Sequence, residues 1–337
     1  MGVQLTALVP KHEITFEELK NKKIAVDASQ MLYQFLSSIR QPDGTPLSDN
    51  KGRTTSHLLG LSTRIPNLMA RNLQLCFVFD GIPPKLKQGE IEARRARKEE
   101  AREKLATARE EEDYELISKY SKQSISVYKE MTEEAKKLIA AFGLPVIQAP
   151  SEAEAQAAYL AEKKFVDFVA SSDYDSLLYG APFMVRNLTL ASRRKLPSGQ
   201  YITITPEIIS LTETLEALGI TKDQLIYLAI LVGTDFNPSG IKGIGPKTAL
   251  KLVKEHKQPE KIFSPLNPDF NWKEVFNVFK KMPVEKKVNL TWKKPDPEKI
   301  QNILEEHDFS QERINKLIEN LEQENKKQSQ ADLGKWF

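Results

Sequence analysis

Apolar runs that stop on a carboxylate recur in the first half of the chain, and that recurrence restricts the fold more than any other feature. Lys23-Ile24-Ala25-Val26 runs into Asp27, Leu75 to Phe79 runs into Asp80, and Phe165 to Ala170 reaches Asp173 after two serines. A fourth run, Leu144-Pro145-Val146-Ile147, lacks such an acid. Short strand-like runs alternating with helical patterns predict an α/β fold, with a central, mostly parallel sheet flanked by helices. Ligands gather at the carboxyl ends of strands in sheets of this kind. One aspartate there could simply open a turn, but three at corresponding places point to a site.

Four further acids extend the set: Glu152, Glu154, Asp175 and Asp235. Brought into one cleft, these carboxylates would repel by several kcal/mol per close pair at an effective dielectric of ~20. Either most are protonated or divalent cations hold them together. Oxygen donors without His or Cys favour hard Mg²⁺ or Mn²⁺ over zinc. Structural alternatives stand beside that reading. Ser151-Glu152-Ala153-Glu154 also spells a capping box, both glutamates suit a helix N-terminus, and Asp173 or Asp175 could cap a helix beginning near Ser176. Asp167 reads as decoration of its strand.

Composition narrows the class. At 40% apolar and 28% charged the chain is neither disordered nor fibrous. No apolar run approaches the roughly 18 to 20 residues of a membrane span. The opening residues show no basic, then apolar, secretory leader. Met1-Gly2 with Thr6 fits an N-myristoylation pattern too permissive to carry weight. The lone Cys76, inside an apolar run, reads as a buried thiol in a reducing compartment. The net charge of +3 says little about partners, but its distribution says more.

Between Ile82 and about Met131, Pro83-Pro84 gives way to helix formers with almost no large apolar residue before Leu105. Lys85 to Lys104 carries eight basic residues against five acidic. Lys87 and Arg94, seven apart, share one face of this uncored helix. Farther on, Gly233-Thr234-Asp235 leads into Gly240-Ile241-Lys242-Gly243-Ile244-Gly245-Pro246-Lys247, a helix–hairpin–helix signature. Its glycines admit a phosphate to the backbone, the next helix start presents free N–H groups, and Lys242, Lys247 and Lys251 add countercharge. The polar stretch Glu319 to Ser329 reads as a linker to Gln330, Leu333, Trp336 and Phe337, an apolar plug suited to a partner's pocket.

In this order the motifs resemble the flap endonucleases of the structure-specific 5′-nuclease family, over essentially the whole chain. The specific pieces are Val26-Asp27-Ala28-Ser29, Val78-Phe79-Asp80-Gly81, Ser151 to Ala155, Ser172-Asp173-Tyr174-Asp175 and the Gly233 to Lys247 hairpin. The resemblance implies two Mg²⁺ ions, with Mn²⁺ able to substitute. Asp27, Asp80, Glu152 and Glu154 would hold one, and Asp173, Asp175 and Asp235 the other. It implies a catalytic basic pair, Lys87 and Arg94, on a helical arch, and Tyr33 stacking a nucleotide. Gly2, Arg40 and Arg64 match DNA contacts, joined by Gly233, Lys242, Gly243, Gly245, Lys247 and Lys251 of the hairpin. Residues 330–337 resemble a peptide that binds the sliding clamp PCNA, with Trp336 in place of the commoner Phe or Tyr.

The implied layout is an N-terminal nuclease region at 1–98, an arch at 82–131 and an internal nuclease region at 116–258 with the hairpin near 233–255. A helical part at 259–321 and a flexible tail at 322–337 would follow. The expected function is metal-dependent cleavage at the base of 5′ flaps in branched DNA during replication and repair, with some 5′-3′ exonuclease activity. The alternatives are a 5′-exonuclease or junction resolvase of the same family, and a non-cleaving DNA or clamp adaptor. The expected form is a monomer away from membranes, cytoplasmic in an archaeal-type cell and nuclear in a eukaryotic one.

Overall fold

The computed structural model describes residues 3–189, 193–195 and 200–333. Seven strands form a mixed sheet in the order β1 (His12–Glu13), β9 (Glu207–Ser210), β6 (Phe183–Arg186), β5 (Phe168–Ala170), β2 (Lys23–Asp27), β3 (Gln74–Phe79), β4 (Val146–Gln148). The remaining two, β7 (Arg193–Lys195) and β8 (Tyr201–Thr203), pair antiparallel as a separate ribbon. The α/β class read from the sequence holds, and fourteen α-helices accompany the sheet among the described residues. β2 pairs parallel with β5, placing Val26 opposite Ala170, and β5 pairs parallel with β6. β9 runs antiparallel to both β6 and β1, so the sheet is parallel only in part. The four predicted runs all supply strands; β1, β6 and β9 of this sheet and the β7–β8 ribbon are additions the sequence reading did not make.

Two compact units divide the chain, each assembled from three separate stretches. The first comprises 1–27, 78–93 and 148–288. Its helices are α6 (Ala153–Glu162), α7 (Asp175–Tyr179), α8 (Leu211–Leu218), α9 (Lys222–Val232), α10 (Pro246–Glu255), α11 (Pro259–Phe263) and α12 (Trp272–Lys281). α9 is buried without a break from Leu225 to Leu231, which makes it the axis of this unit rather than an amphipathic surface helix. A capping box between Thr221 and Gln224 starts it. Tyr227 stacks on Phe276 at 4.9 Å, and Phe263 on Trp272 at 4.6 Å, tying α9, α11 and α12 together.

The second unit comprises 28–77, 94–147 and 289–337. It holds α1 (Ala28–Ser38), α2 (Ser56–Met69), most of α3 (Gln88–Glu110), α4 (Tyr114–Gln123), α5 (Lys129–Ala141), α13 (Pro297–Glu305) and α14 (Gln311–Leu333). Of α3, only Ala101 and Ala108 are buried, in keeping with an uncored helix. α14 corrects one expectation: the supposed linker from Glu319 onward is helical backbone through Leu333. Gln, Glu, Lys and Asn dominate that stretch, and straight-chain polar residues favour helix while offering nothing to a core. A buried polar network pins this unit. His57 Nε2 lies 3.0 Å from Glu134 Oε2, and His307 Nε2 lies 3.4 Å from Glu134 Oε1. Arg53 Nε donates to Asp49 Oδ2 at 2.6 Å, and that oxygen is also 3.5 Å from His307 Nδ1.

One glycine decides how the first unit closes. Gly81 N donates to Ser151 O at 2.6 Å and Ile82 N to Pro150 O at 3.1 Å, so the chain after β3 lies directly on the chain before α6. A Cβ at Gly81 would meet Ala149 O at 2.2 Å and Pro150 O at 2.5 Å, both backbone atoms unable to step aside. Gly81→Ala is therefore expected to cost roughly 1–3 kcal/mol of stability, as overpacking does. It should also displace Asp80 from α6; urea unfolding and single-turnover cleavage measured together check both effects.

Glu134 titrates within the second network. Burial raises its pKa, but its contact with His57 and the charges of His307, His57 and Arg53 outweigh this, so the carboxyl sits below its usual 4.5. A depressed acid contributes stability that is complete above the unfolded value and is lost as pH falls through the lower folded value. Glu134→Gln should thus be less stable than the parent at pH 7 by about 1–3 kcal/mol. It should also lose stability less steeply below pH ~4.5. Urea midpoints of both proteins between pH 3 and 7 test the sign.

Candidate active site

All seven carboxylates and Lys87 belong to the first unit. Asp27 closes β2, Asp80 follows β3 directly, and Asp173 and Asp175 lie just beyond β5. Because β2 and β5 are parallel neighbours in register, their acids leave the sheet from the same edge. Glu152 is the N-cap residue of α6 and Glu154 sits in its first turn. Asp235 rides a tight turn after α9. That turn is fixed by Thr234 Oγ1 donating to Asn237 Oδ1 at 2.6 Å and Asn237 Nδ2 donating to Ile230 O at 2.7 Å.

Both glutamates do sit at the start of α6, but the side-chain capping alternatives fail. Ser151 Oγ donates to Ile82 O at 2.8 Å rather than capping α6, and Glu152 makes no side-chain cap. Glu154 Oε1 instead accepts from Ser171 Oγ at 2.8 Å. α7 begins at Asp175 with Tyr174 as an N-cap that makes no side-chain bond, while Asp175 Oδ1 accepts from Val3 N at 3.1 Å. The carboxylate that does tie down a helix start is Asp80, whose Oδ1 accepts from Ala153 N at 2.8 Å. Ser171, the Val3 amide, and Gln148, which donates to Asp80 O at 2.6 Å, are supporting contacts the sequence reading missed. Ser171 was at least visible as one of the two serines before Asp173.

Electrostatics shows how closely the acids share space. Burial raises the pKa of Glu154 well above its usual value, and the charges of Asp175, Asp27 and Asp173 raise it further. Asp175 is pushed up to about 7 by burial, with Asp235 and Asp173 adding to the rise against the opposing Val3 hydrogen bond. Lys87 donates to Glu152 Oε2 and lies 3.3 Å from Asp235 Oδ2. Burial disfavours its charge, but Glu152, Asp235 and Asp80 prevail and its pKa is raised. Glu152 is still raised, since burial and the charges of Asp80 and Asp235 outweigh its bond to Lys87. One ammonium does not neutralise the acids facing it.

The donor set, all oxygen and short of positive charge, fits a hard divalent cation. As they stand, no three His, Cys, Asp or Glu side chains among the described residues converge closely enough to hold one. The Lys87 ammonium takes up the space between Glu152 and Asp235 instead.

Lys87 differs from expectation. It lies in a 3₁₀ turn, Lys85–Lys87, which Pro84 opens in extended conformation, and its side chain is only 16% exposed. It is a partner within the carboxylate cluster rather than a residue of an uncored helix, whereas Arg94 lies on α3. In the second unit Tyr33 is 44% exposed, with Lys98 Nζ at 5.9 Å from its ring centre. Arg40 donates to Gly44 O at 2.5 Å, Ser121 Oγ at 2.7 Å and Ser37 O at 3.3 Å, which makes it a clip between α1 and α4. Arg64, half-buried on α2, has its pKa lowered by that burial.

In the hairpin, Gly240 takes φ 54°, and a Cβ there would strike Val232 O at 2.4 Å. Gly233, at φ 116°, ends α9. Gly243 and Gly245 face nothing within 4 Å where a side chain would start, which leaves the turn open to another backbone. Gly245 is the N-cap of α10 with Pro246 at its first position, and Lys247 and Lys251 lie on that helix. Lys242 stands in the turn itself. Gly2, Trp336 and Phe337 lie outside the described residues, while Gln330 and Leu333 belong to the backbone of α14.

Comparison with known proteins gives the family of the chain. Residues 1–101 match the XPG N-terminal domain and residues 143–235 the XPG I-region. Flap endonuclease 1 of Pyrococcus furiosus is 49% identical over 339 residues, covering 100% of this chain and 99% of that protein. The structure of flap endonuclease-1 from Methanococcus jannaschii superposes with a TM-score of 0.76 at 41% identity, covering 95% of this chain and 98% of the other. The catalytic core of Rad2 in complex with DNA substrate shares the fold at 23% identity, with a TM-score of 0.69 over 92% of this chain and 96% of that one. With family matches over more than half its length and such a relative over all of it, this chain belongs to the flap endonuclease family of XPG-type nucleases.

Proposed function

We propose that the chain is a 5′-flap endonuclease that hydrolyses a phosphodiester at the base of a 5′ flap in branched DNA, with Mg²⁺ as cofactor. The observation that carries this reading is the placement of seven carboxylates in the first unit, at the ends of β2, β3 and β5, the start of α6 and the turn after α9. Burial, with their neighbouring acids adding to it, raises Glu154 and Asp175. Asp27, Asp80, Glu152 and Glu154 would hold one ion and Asp173, Asp175 and Asp235 the other. Bound there, the ions supply Lewis-acid stabilisation of phosphate charge and an ionised water.

The chain's own groups do the rest. Lys87 neutralises charge on the scissile phosphate when it turns from Glu152, and Arg94 adds a second cation. Tyr33, with its exposed ring, stacks a base. The open turn at Gly243 and Gly245 and the first amides of α10 hold a phosphate, with countercharge from Lys242, Lys247 and Lys251. Recognition is then by backbone and branch shape, not base sequence. Arg64 is the better candidate of the two outer arginines, because the Arg40 guanidinium is already engaged by protein oxygens. No described helix is long and apolar enough to cross a membrane. The enzyme acts as a monomer in the compartment that holds the DNA, and residues 330–337 bind the sliding clamp.

The deciding assay compares a labelled 5′ flap with blunt duplex, single strand and a four-way junction, with and without Mg²⁺. Flap cleavage dependent on Mg²⁺ is expected, and a dominant four-way-junction product would overturn the reading. Asp173→Asn should lower the single-turnover rate by at least about a hundredfold while flap binding survives, since the hairpin contacts do not depend on it. Retention of the parent rate would remove Asp173 from the ligand set.

Deleting residues 330–337 should leave cleavage of a free flap unchanged and abolish binding to the clamp. Burial of two aromatics and a leucine at ~1.5–3 kcal/mol each supports micromolar affinity after ordering costs. Calorimetry with the clamp and both proteins is the check; equal affinity would assign the tail elsewhere.

A further inference from the structure

Tyr174 is the single residue between Asp173 and Asp175, and it is buried, with 3% of its surface exposed. It packs in the core of the first unit with Leu177, Leu178 and Met184. A buried phenol needs a hydrogen-bond partner. The partner comes from the neighbouring parallel strand: Ala170 of β5 faces Val185 of β6, so Arg186 ends β6 beside the loop that leaves β5. Arg186 Nη1 lies 2.9 Å from Tyr174 Oη and donates to it, and the guanidinium carbon is 5.0 Å from the ring centre.

Arg186 is not placed to serve itself. Its cross-strand neighbour Glu207 is 3.9 Å away, beyond hydrogen-bond range, and accepts instead from Lys11 at 2.7 Å. Its Nε is buried without a hydrogen-bond partner. A guanidinium held for local stability would approach Glu207 and satisfy that donor. This one keeps only a loose ion pair with Glu207, leaves Nε unsatisfied and gives its hydrogen bond to the tyrosine.

We infer that Arg186 is a positioning residue for the active site, holding Tyr174 so that the backbone on either side of the ring presents Asp173 and Asp175 together. The inference rests on the proposed role of those two acids as metal ligands. Other ties hold one acid at a time: Ser171 Oγ accepts from Asp173 N at 3.1 Å and lies 3.4 Å from Asp173 O, and Val3 N donates to Asp175 at 3.1 Å. Tyr174 touches both acids through the chain itself, so loosening its ring misplaces the pair. The sequence shows nothing of this, because Arg186 is twelve residues from Tyr174 and sits in no motif.

The test measures Mn²⁺ binding to the DNA-free protein by calorimetry, with single-turnover cleavage as a function of Mn²⁺ and thermal unfolding alongside. Tyr174→Phe and Arg186→Met should each weaken Mn²⁺ binding by about tenfold, the scale at which residues supporting metal ligands act. Cleavage should slow at limiting Mn²⁺ and recover at saturating Mn²⁺, with flap affinity in the absence of metal unchanged. The double variant should be no worse than the weaker single one, and Arg186→Lys should recover part of the loss. Should Arg186→Met fail to fold, Tyr174→Phe decides alone, since it keeps the ring and removes only the hydroxyl. Additive effects in the double variant would overturn the inference. So would Mn²⁺ affinity within about twofold of the parent for Tyr174→Phe while Asp175→Asn loses it. If Asp175→Asn also binds Mn²⁺ normally, the underlying assignment of the ligands fails instead.

Discussion

Repulsion among carboxylates that the fold forces together is the constraint on which the first unit depends. Asp27, Asp80, Glu152, Glu154, Asp173, Asp175 and Asp235 are delivered by strands β2, β3 and β5, helix α6 and the turn after α9. Glu154 and Asp175 record the cost, both raised by burial and by their acidic neighbours. Hydrophobic burial elsewhere must cover it. α9, apolar from Leu225 to Leu231, and the aromatic stack joining it to α11 and α12 make a core rigid enough to do so.

Polar ties divide the labour by segment. Asp80 is held through Ala153 N, Glu154 through Ser171, and Asp175 through Val3 N. Each of these three acids has one oxygen bonded to a neutral donor. That is a weaker offset than a cation would give and leaves the carboxylate available to one. The hydrogen bonds between the Gly81–Ile82 and Pro150–Ser151 backbones join two of these segments where no side chain could fit.

Much of this was legible in the sequence because the relevant signals are local. An aspartate ending an apolar run, two acids spaced by one residue, and a Gly-Ile-Gly-Pro-Lys turn each carry their chemistry in a few consecutive positions. What escaped depends on distant contacts. Ser151 reads as a helix cap, yet it bonds Ile82, which is distant in sequence. Lys87 reads as helical, yet Pro83-Pro84 delays the helix and leaves it in a 3₁₀ turn facing Glu152. Nothing along the chain shows that the Arg40 guanidinium joins Gly44 to Ser121. A reading along the chain yields consecutive segments, whereas each compact unit is built from three separated stretches. The stretch after Glu319 was misread for another reason: low apolar content argues against a core, not against a helix.

Lys87 links the internal balance of charge to the proposed reaction. Its ammonium is committed to Glu152 and close to Asp235, which is the arrangement expected where acids outnumber cations. A lysine so engaged does not face a phosphate. On the proposed reading, neutralising Glu152, Asp235 and Asp80 by other means removes its reason to stay and leaves it available to the scissile phosphate. The side chain is 16% exposed and springs from a short turn, so it can exchange partners without moving a helix. The same electrostatic deficit that burdens the fold would thus hold the lysine back until cation and substrate are both in place.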